Sequence, residues 1–228
     1  MVGAAAVQAE LRRAFARWGR PEQLRVDNGT PWGATGGLPT ELALWLFGLE
    51  VAVTWNAPRC PQPNGVVERT QGVSKGWVEP QTCADAAELQ RRLEWADDIH
   101  RNRYPSIEGR SRAAAFPHWC HSGHPYARTW ERRHWNLRGA LEHLAEYVVV
   151  RRVGRDGKAS VYDRGHWVGK QWAGQELYVS LDPELREWVF AAADGRELRR
   201  CPARELTSDS IVGLQVARER VNATGAGK

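Results

Sequence analysis

Leu24-Arg25-Val26-Asp27-Asn28-Gly29-Thr30 is a short apolar strand that runs directly into a turn, and it decides the fold together with one later stretch. That second stretch is Asn64-Gly65-Val66-Val67-Glu68-Arg69, which follows a proline-rich segment and opens a helix. Asp27 therefore ends a strand, whereas Glu68 lies just inside a helix. Two carboxylates presented in this way can converge on one divalent cation, although forty residues (28 to 67) separate them.

Each of these acids also has a plainer interpretation. Asp-Asn-Gly is an excellent turn sequence, because Asp and Asn tolerate left-handed backbone and form local hydrogen bonds. Glu68 taken alone is a surface glutamate in the first turn of a helix, where the helix dipole favours a negative charge. Either residue considered by itself favours the plainer interpretation, so the metal hypothesis depends on the two occurring together.

The surrounding pattern predicts an α/β arrangement. Apolar residues at helical or strand spacing predict, in order, a helix over Val7–Trp18, a strand over Leu24–Val26, a helix over Pro39–Phe47, a strand over Leu49–Trp55, a helix carrying Glu68 to about Val78, and a helix over residues 84–101. These strands are too few to form a sheet that could bury all the helices. We expect further strands upstream to complete the sheet.

Composition bounds the class of protein without naming a function. The 228 residues carry a net charge of +5, which favours polyanionic partners but also fits an ordinary solvated surface. No stretch approaches the roughly 20 apolar residues that span a bilayer, so no membrane association is expected. The four cysteines show no paired spacing, which is typical of a cytoplasmic protein with reduced thiols. His118, Cys120, His121 and His124 lack a second ligand pair at finger spacing, so we interpret them as part of a polar linker.

The joint pattern of strand, Asp27-Asn28-Gly29 and Pro61-x-Pro63-Asn64-Gly65-x-x-Glu68-Arg69 resembles the DDE transposase and retroviral-type integrase family, which has a ribonuclease H-like core. The segments His100–Pro105 and Ala113–Pro117 are similar to the part that usually closes such cores. The resemblance covers roughly residues 7–117 and is closest to the insertion-sequence branch of bacterial transposases.

The resemblance implies metal-assisted phosphodiester cleavage and strand transfer by two Mg²⁺ (or Mn²⁺) ions. By that resemblance Asp27 would bridge both ions and Glu68 would complete one site. The family uses three acids, and the first lies upstream of where this chain starts. With two acids we expect at most one weakly bound metal. Asn64, Arg69 and Lys75 are candidate DNA contacts, although Asn64-Gly65 also suits a turn and Lys75 also suits a solvated surface.

The C-terminal half predicts a small barrel, since short strands recur at close spacing from Tyr147 to Cys201 after a helix over Leu137–Ala145. Tyr162–Gly169 and the runs that follow resemble the SH3-like barrel appended to many bacterial DDE transposases, which contacts DNA in that family. Arg151, Arg152 and Lys158 would then contact phosphates. Ordinary surface charge is the alternative.

We therefore expect four segments: an incomplete integrase core over residues 1–117, a basic linker with a short helix over 118–146, an SH3-like β-barrel over 147–207, and a weakly ordered tail over 208–228. The expected function is that of an insertion-sequence transposase truncated at its N-terminus. It would act on double-stranded DNA as a homo-oligomer in a synaptic complex, in the nucleoid-associated cytoplasm of a bacterium. A non-catalytic DNA-binding or regulatory fragment is the alternative.

Because the first acidic ligand is expected upstream, we predict no cleavage of transposon ends and no strand transfer by the chain as given, with either Mg²⁺ or Mn²⁺. The measurement is an end-labelled duplex assay over a range of metal concentrations. Robust activity that disappears on Asp27→Asn would show that another acid, such as Glu50 or Glu79, completes the site.

Overall fold

A computed structural model describes residues 3–33, 37–57 and 65–217, apart from the side chain of Val66. The chain is a mixture of helices with one parallel and two antiparallel sheets. In order, the elements are α1 (Ala4–Trp18), β1 (Gln23–Val26), α2 (Glu41–Gly48), β2 (Ala52–Trp55), α3 (Gly65–Val78), α4 (Ala86–Asn102), α5 (Arg112–Ala115), α6 (Arg128–His134), α7 (Leu137–Ala145), β3 (Val149–Arg152), β4 (Lys158–Val161), β5 (Arg164–Trp167), β6 (Glu176–Asp182), β7 (Glu187–Ala191), β8 (Glu197–Pro202) and α8 (Ser208–Val212). Among the described helices, none combines the length and the apolar character needed to cross a membrane.

Strands β1 and β2 form a parallel pair and are connected through α2. Together the three elements form a β-α-β unit. Their register runs from Gln23 opposite Ala52 to Val26 opposite Trp55. Parallel strands need a crossover connection, and a helix usually supplies it. The predicted α/β character of this region is therefore confirmed at the level of one helix between two parallel strands.

Helix α2 is the centre of its part of the fold because its sequence, Glu-Leu-Ala-Leu-Trp-Leu-Phe-Gly, is apolar on every face. A helix of that kind must be buried all round, and every residue from Leu42 to Gly48 is buried. Thr40 caps the N-terminus by accepting a hydrogen bond from the Ala43 backbone at 3.4 Å. At the other end, a side chain on Gly48 would overlap the ring of Trp135, whose indole donates to the Trp45 carbonyl at 3.0 Å.

The β-rich part is a four-stranded antiparallel sheet in the order β3-β6-β7-β8, accompanied by the two-stranded hairpin β4-β5. Alternate residues of the sheet face inward, as period-two strands require, and those of β6 and β7 are buried: Leu177, Val179, Leu181, Trp188 and Phe190. The sequence prediction of several short strands in this region is confirmed, and so is the preceding helix, which becomes α7.

The described residues form two compact units. One comprises residues within Met1–Ala16, Pro21–Trp55 and Tyr126–Lys228, and the other comprises residues within Arg17–Arg20 and Asn56–Pro125. The β-rich strands therefore share a unit with the β-α-β element, rather than following it as a separate segment. A hydrogen bond joins them, since the Tyr162 hydroxyl donates to the Pro39 carbonyl at 2.8 Å. The segment after α8 also contacts α2, where Glu41 accepts from the Ala217 backbone at 2.6 Å.

Two segments differ from the sequence expectation. Part of the expected linker is helix α6. This helix contributes Glu131, which can be fully buried because residues from distant elements help to compensate its charge. Part of the expected weakly ordered tail is α8, which is capped by Thr207 and buries Ile211. The rest of that tail, residues 218–228, lies outside the described residues.

Glu131 is 1% exposed and receives hydrogen bonds from four side chains. Arg12 donates from two nitrogens, at 3.1 and 2.6 Å, and Arg128 donates at 2.9 Å. The Trp45 indole donates at 3.1 Å, and the Tyr126 hydroxyl completes the set. Burial raises the pKa of Glu131, but the hydrogen bonds from Arg12, Tyr126 and Trp45 outweigh that effect and lower the pKa to about 2. This buried carboxylate joins α1, α2 and α6.

We predict that Glu131→Gln lowers the free energy of unfolding at pH 7 by about 3 kcal/mol, the order of magnitude that a pKa of about 2 against an ordinary 4.5 implies. Because the folded pKa is the lower one, the ionised carboxylate stabilises the fold above pH 4.5, and this contribution is lost as the pH falls from 4.5 towards 2. Urea denaturation followed by tryptophan fluorescence at several pH values measures both effects.

The matched control is Glu142→Gln, which breaks the exposed Arg138–Glu142 pair on α7. Such an exposed pair is screened by water and contributes little to stability. Equal losses of unfolding free energy in the two variants would show that burial does not strengthen the ion pairs of Glu131.

Candidate metal and nucleic-acid site

Asp27 follows β1 directly and is exposed, so the expected position at the end of a strand is confirmed. Its Oδ1 accepts a hydrogen bond from the Gly29 backbone at 3.0 Å, which forms the local Asx turn that Asp-Asn-Gly favours. The turn and the metal interpretations are compatible, because the turn engages one carboxylate oxygen and fixes the direction of the other. A carboxylate held in this way is suited to a hard cation such as Mg²⁺.

Glu68 lies in the first turn of α3 and is exposed, together with its neighbour Arg69. Lys75 lies in the last turn of the same helix, seven residues on, so it shares a face with Glu68. The glycines at 72 and 76 face open space, so no packing requires them. Asn64, the remaining candidate in this region, lies outside the described residues.

Asp27 and Glu68 belong to different compact units. Their convergence on a shared cation therefore stays a prediction. Within the described ranges, no three His, Cys, Asp or Glu side chains are grouped as a metal site would require. The two carboxylates suit a divalent cation by their chemistry, and further oxygen ligands are needed to complete its coordination.

The three basic residues proposed for phosphate contact differ in how they are held. Arg151 is half-buried, with its Nε donating to the Ser160 carbonyl and a terminal nitrogen donating to its neighbour's carbonyl, both at 2.9 Å. Burial lowers the pKa of this guanidinium. Arg152 is exposed and donates from Nε to the Gly174 carbonyl at 3.2 Å. Lys158 is exposed, and its ammonium lies 3.8 Å from Asp156.

Arg151 opens onto a cleft of about 470 Å³ that lies within one unit. One wall is the loop Thr30–Gly33, which follows Asp27, and another is the N-terminus of α2 at Thr40 and Glu41. The turn between β4 and β5 supplies the third wall, with Tyr162 and Asp163 in the left-handed region at φ values of 48° and 57°. The structure therefore brings the loop after Asp27 and the arginine of β3 to the same cleft.

Two titratable residues of this cleft were missed by the sequence analysis. Burial raises the pKa of Glu41, against the hydrogen bond from the Ala217 backbone and the charge of Arg164, and burial likewise raises the pKa of Tyr162. No local signal distinguishes Glu41 from other glutamates at helix N-termini. The hairpin turn Tyr162-Asp163 is a weak signal, because turn positions with positive φ favour Gly or Asn rather than tyrosine.

No protein-family model matches this chain. Among solved structures, the chain is similar to a chain in the cryo-EM structure of the simian T-cell lymphotropic virus intasome in complex with the PP2A regulatory subunit B56 gamma, with 22% sequence identity and a TM-score of 0.41. The match covers 56% of this chain and 45% of that chain, so it spans less than half of the matched chain's length.

We predict that Asp27→Asn weakens the binding of Mn²⁺ about tenfold, because it removes a charged oxygen ligand. The matched control is Asp194→Asn, since Asp194 accepts from the Arg196 backbone at 3.0 Å in a similar turn and has no expected metal role. Titration of Mn²⁺ monitored by electron paramagnetic resonance measures the free ion directly. If both variants bind Mn²⁺ like the unmodified chain, Asp27 is only a turn residue.

Proposed function

We propose that this chain is part of a DDE-type transposase of the insertion-sequence class, that it binds double-stranded DNA, and that Asp27 and Glu68 are two of its acidic metal ligands. The observation that carries this proposal is the placement of Asp27 at the end of the first of two parallel strands, within a β-α-β unit. Glu68 in the first turn of an exposed helix supports it. An aspartate that serves only as a turn residue in an unrelated fold need not lie at the end of a parallel strand, nor be followed by a glutamate in the first turn of an exposed helix.

Divalent ions bound to such carboxylates would stabilise the attacking and leaving oxygens of an in-line displacement at phosphorus. Within this chain, the hydrogen bond from the Gly29 backbone orients the Asp27 carboxylate. Lys75 lies on the Glu68 face of α3 and would offer a positive charge to a DNA phosphate, and exposed Arg69 would add a second. These roles require further oxygen ligands beside the two carboxylates to complete the coordination of the ions.

The strands would add affinity that is independent of sequence. Arg152 keeps its guanidinium plane fixed by one hydrogen bond to a carbonyl, and a pre-oriented guanidinium loses less entropy when it binds a phosphate. Lys158, the first residue of β4, is exposed and would act as a point charge. Arg151 is more deeply held and faces the cleft. We propose duplex DNA as the common partner, with assembly into a homo-oligomeric synaptic complex in the nucleoid-associated cytoplasm.

A second candidate function is a non-catalytic DNA-binding or regulatory fragment. It is favoured by one observation: the basic residues of the strands are held by contacts that involve neither Asp27 nor Glu68. DNA binding could therefore persist without any metal chemistry. The two functions differ in what Asp27→Asn does, since only the catalytic one needs that carboxylate.

We predict that replacing Arg151, Arg152 and Lys158 together with glutamine weakens duplex binding similarly for all sequences. Each phosphate contact contributes about 0.9 to the slope of log affinity against log salt, so the slope should fall by up to roughly 2.7. Fluorescence anisotropy with labelled duplex across a salt series measures this. The full chain is required, because a C-terminal fragment would leave buried Glu131 without Arg12 and Trp45.

The control triple variant replaces Arg13, Arg138 and Arg196 with glutamine, since these exposed arginines already pair with acids. We expect it to change the slope little. Glu68→Gln should leave binding unchanged or slightly stronger, because it removes a negative charge close to the phosphates. A folded chain without affinity for duplex at low salt would remove the DNA-binding proposal.

A further inference from the structure

A groove of about 320 Å³ in the second unit has an aromatic floor and an arginine rim. We name it the aromatic groove, and none of the candidate residues discussed above lines it. The side chains that line it are Arg101, Ile107, Arg112, Ala113, Phe116, Trp119 and Cys120.

The aromatic floor follows from local sequence. Ser111 caps α5 by accepting from the Ala114 backbone at 3.2 Å, and Pro117 then begins a short 3₁₀ turn over Pro117–Trp119. Side chains three residues apart eclipse in 3₁₀ geometry, so Phe116 and Trp119 lie one over the other. Their ring centroids are 4.3 Å apart and the planes differ by 12°. The backbone bond from Trp119 to the Phe116 carbonyl, at 3.0 Å, fixes this stack.

Trp119 is 68% exposed, although its ring packs on Phe116. Large aromatic side chains are usually among the most buried in a protein, so a rigid and exposed indole is a candidate for binding. Because Phe116 supports the ring, little conformational entropy would be lost when a second flat group stacks on it.

The groove is positively charged. Arg101 and Arg112 are half-buried, and none of the described residues that line the groove carries a negative charge. Arg101 is held by a cation–π contact, with its guanidinium 4.9 Å from the centre of the Trp18 ring. Arg112 is the first residue of α5. An aromatic surface with guanidinium groups beside it is the combination that binds a base together with its phosphate.

Resting on the proposed function, we propose that the aromatic groove binds an unpaired nucleotide of the DNA, with its base stacked on Trp119 and its phosphate contacted by Arg101 and Arg112. Inside a duplex each base is paired and stacked on both faces, so an overhang, a melted end or an extruded base is needed to present an unpaired base to the groove. The groove volume is at the lower end of small-ligand clefts, about 300–1,000 Å³, which suits one nucleotide rather than a helix.

The test compares labelled blunt duplex with the same duplex bearing a short single-stranded thymidine extension, using anisotropy on the full chain. We expect the unmodified chain to bind the extended duplex roughly tenfold more tightly, as one stacked base implies. Trp119→Ala should abolish this preference without changing blunt-duplex binding. Trp119→Phe should retain part of it, because a smaller aromatic ring still stacks.

The matched control is Trp95→Ala, since Trp95 is 52% exposed on α4 in the same unit and does not line the groove. Arg112→Gln should also reduce the preference, whereas Arg110→Gln, which removes an exposed arginine 3.9 Å from Glu108, should not. Circular dichroism confirms that each variant is folded.

Several results would overturn the groove proposal alone. One is that the unmodified chain shows no preference for the extended duplex, and another is that Trp119→Ala keeps this preference. The third is that Trp119→Ala and Trp95→Ala lose the preference equally. A folded chain that binds neither duplex would instead overturn the proposed function, and the groove proposal with it. An exposed stack that binds no DNA would then be examined as a contact for another protein.

Discussion

The packing of α1, α2 and α6 depends on the buried charge of Glu131. Glu131 is inaccessible to water, and a carboxylate in that position is tolerated only when its oxygens are fully compensated. Two of its four partners, Arg12 and Trp45, lie 119 and 86 positions away in the sequence. Because Trp45 belongs to the wholly apolar helix α2, the same contact orients the helix around which the β-α-β element and the β-rich strands are packed.

The elements that sequence predicted correctly are those whose signal is local. Helix α7 has its predicted bounds, and the features that define it are local: Asn136 caps a regular apolar stripe. The short strands of the C-terminal half were predicted from alternation and turns. Helix α6 was missed, since its arginines and histidines resemble a solvated linker. The burial of Glu131 becomes favourable only when α1 and α2 are in place, and no window around α6 contains that information.

The candidate site likewise contains features that the local sequence predicts and features that depend on tertiary contacts. The strand end and the turn at Asp27 follow from seven consecutive residues, so both were predicted. The cleft onto which Arg151 opens could not be predicted, because its walls come from residues 30–33, 39–42 and 151–163, whose approach is fixed by tertiary contacts. The aromatic groove could be predicted only in part from the sequence. Its stacked pair lies within four residues, but the exposure of Trp119 is a property of the folded unit.

The hydrogen bond from the Tyr162 hydroxyl to the Pro39 carbonyl has a geometric consequence for any bound duplex. A basic module on a flexible tether adjusts its distance to the rest of the protein and tolerates changes in the spacing of its contacts. Here the hairpin and the loop after Asp27 line one cleft, so their separation is constant. DNA has a rise of about 3.4 Å per base pair along each strand, and it rotates as it advances. Contacts made by these two segments would therefore occur at a fixed helical phase, and one inserted base pair would put them out of step.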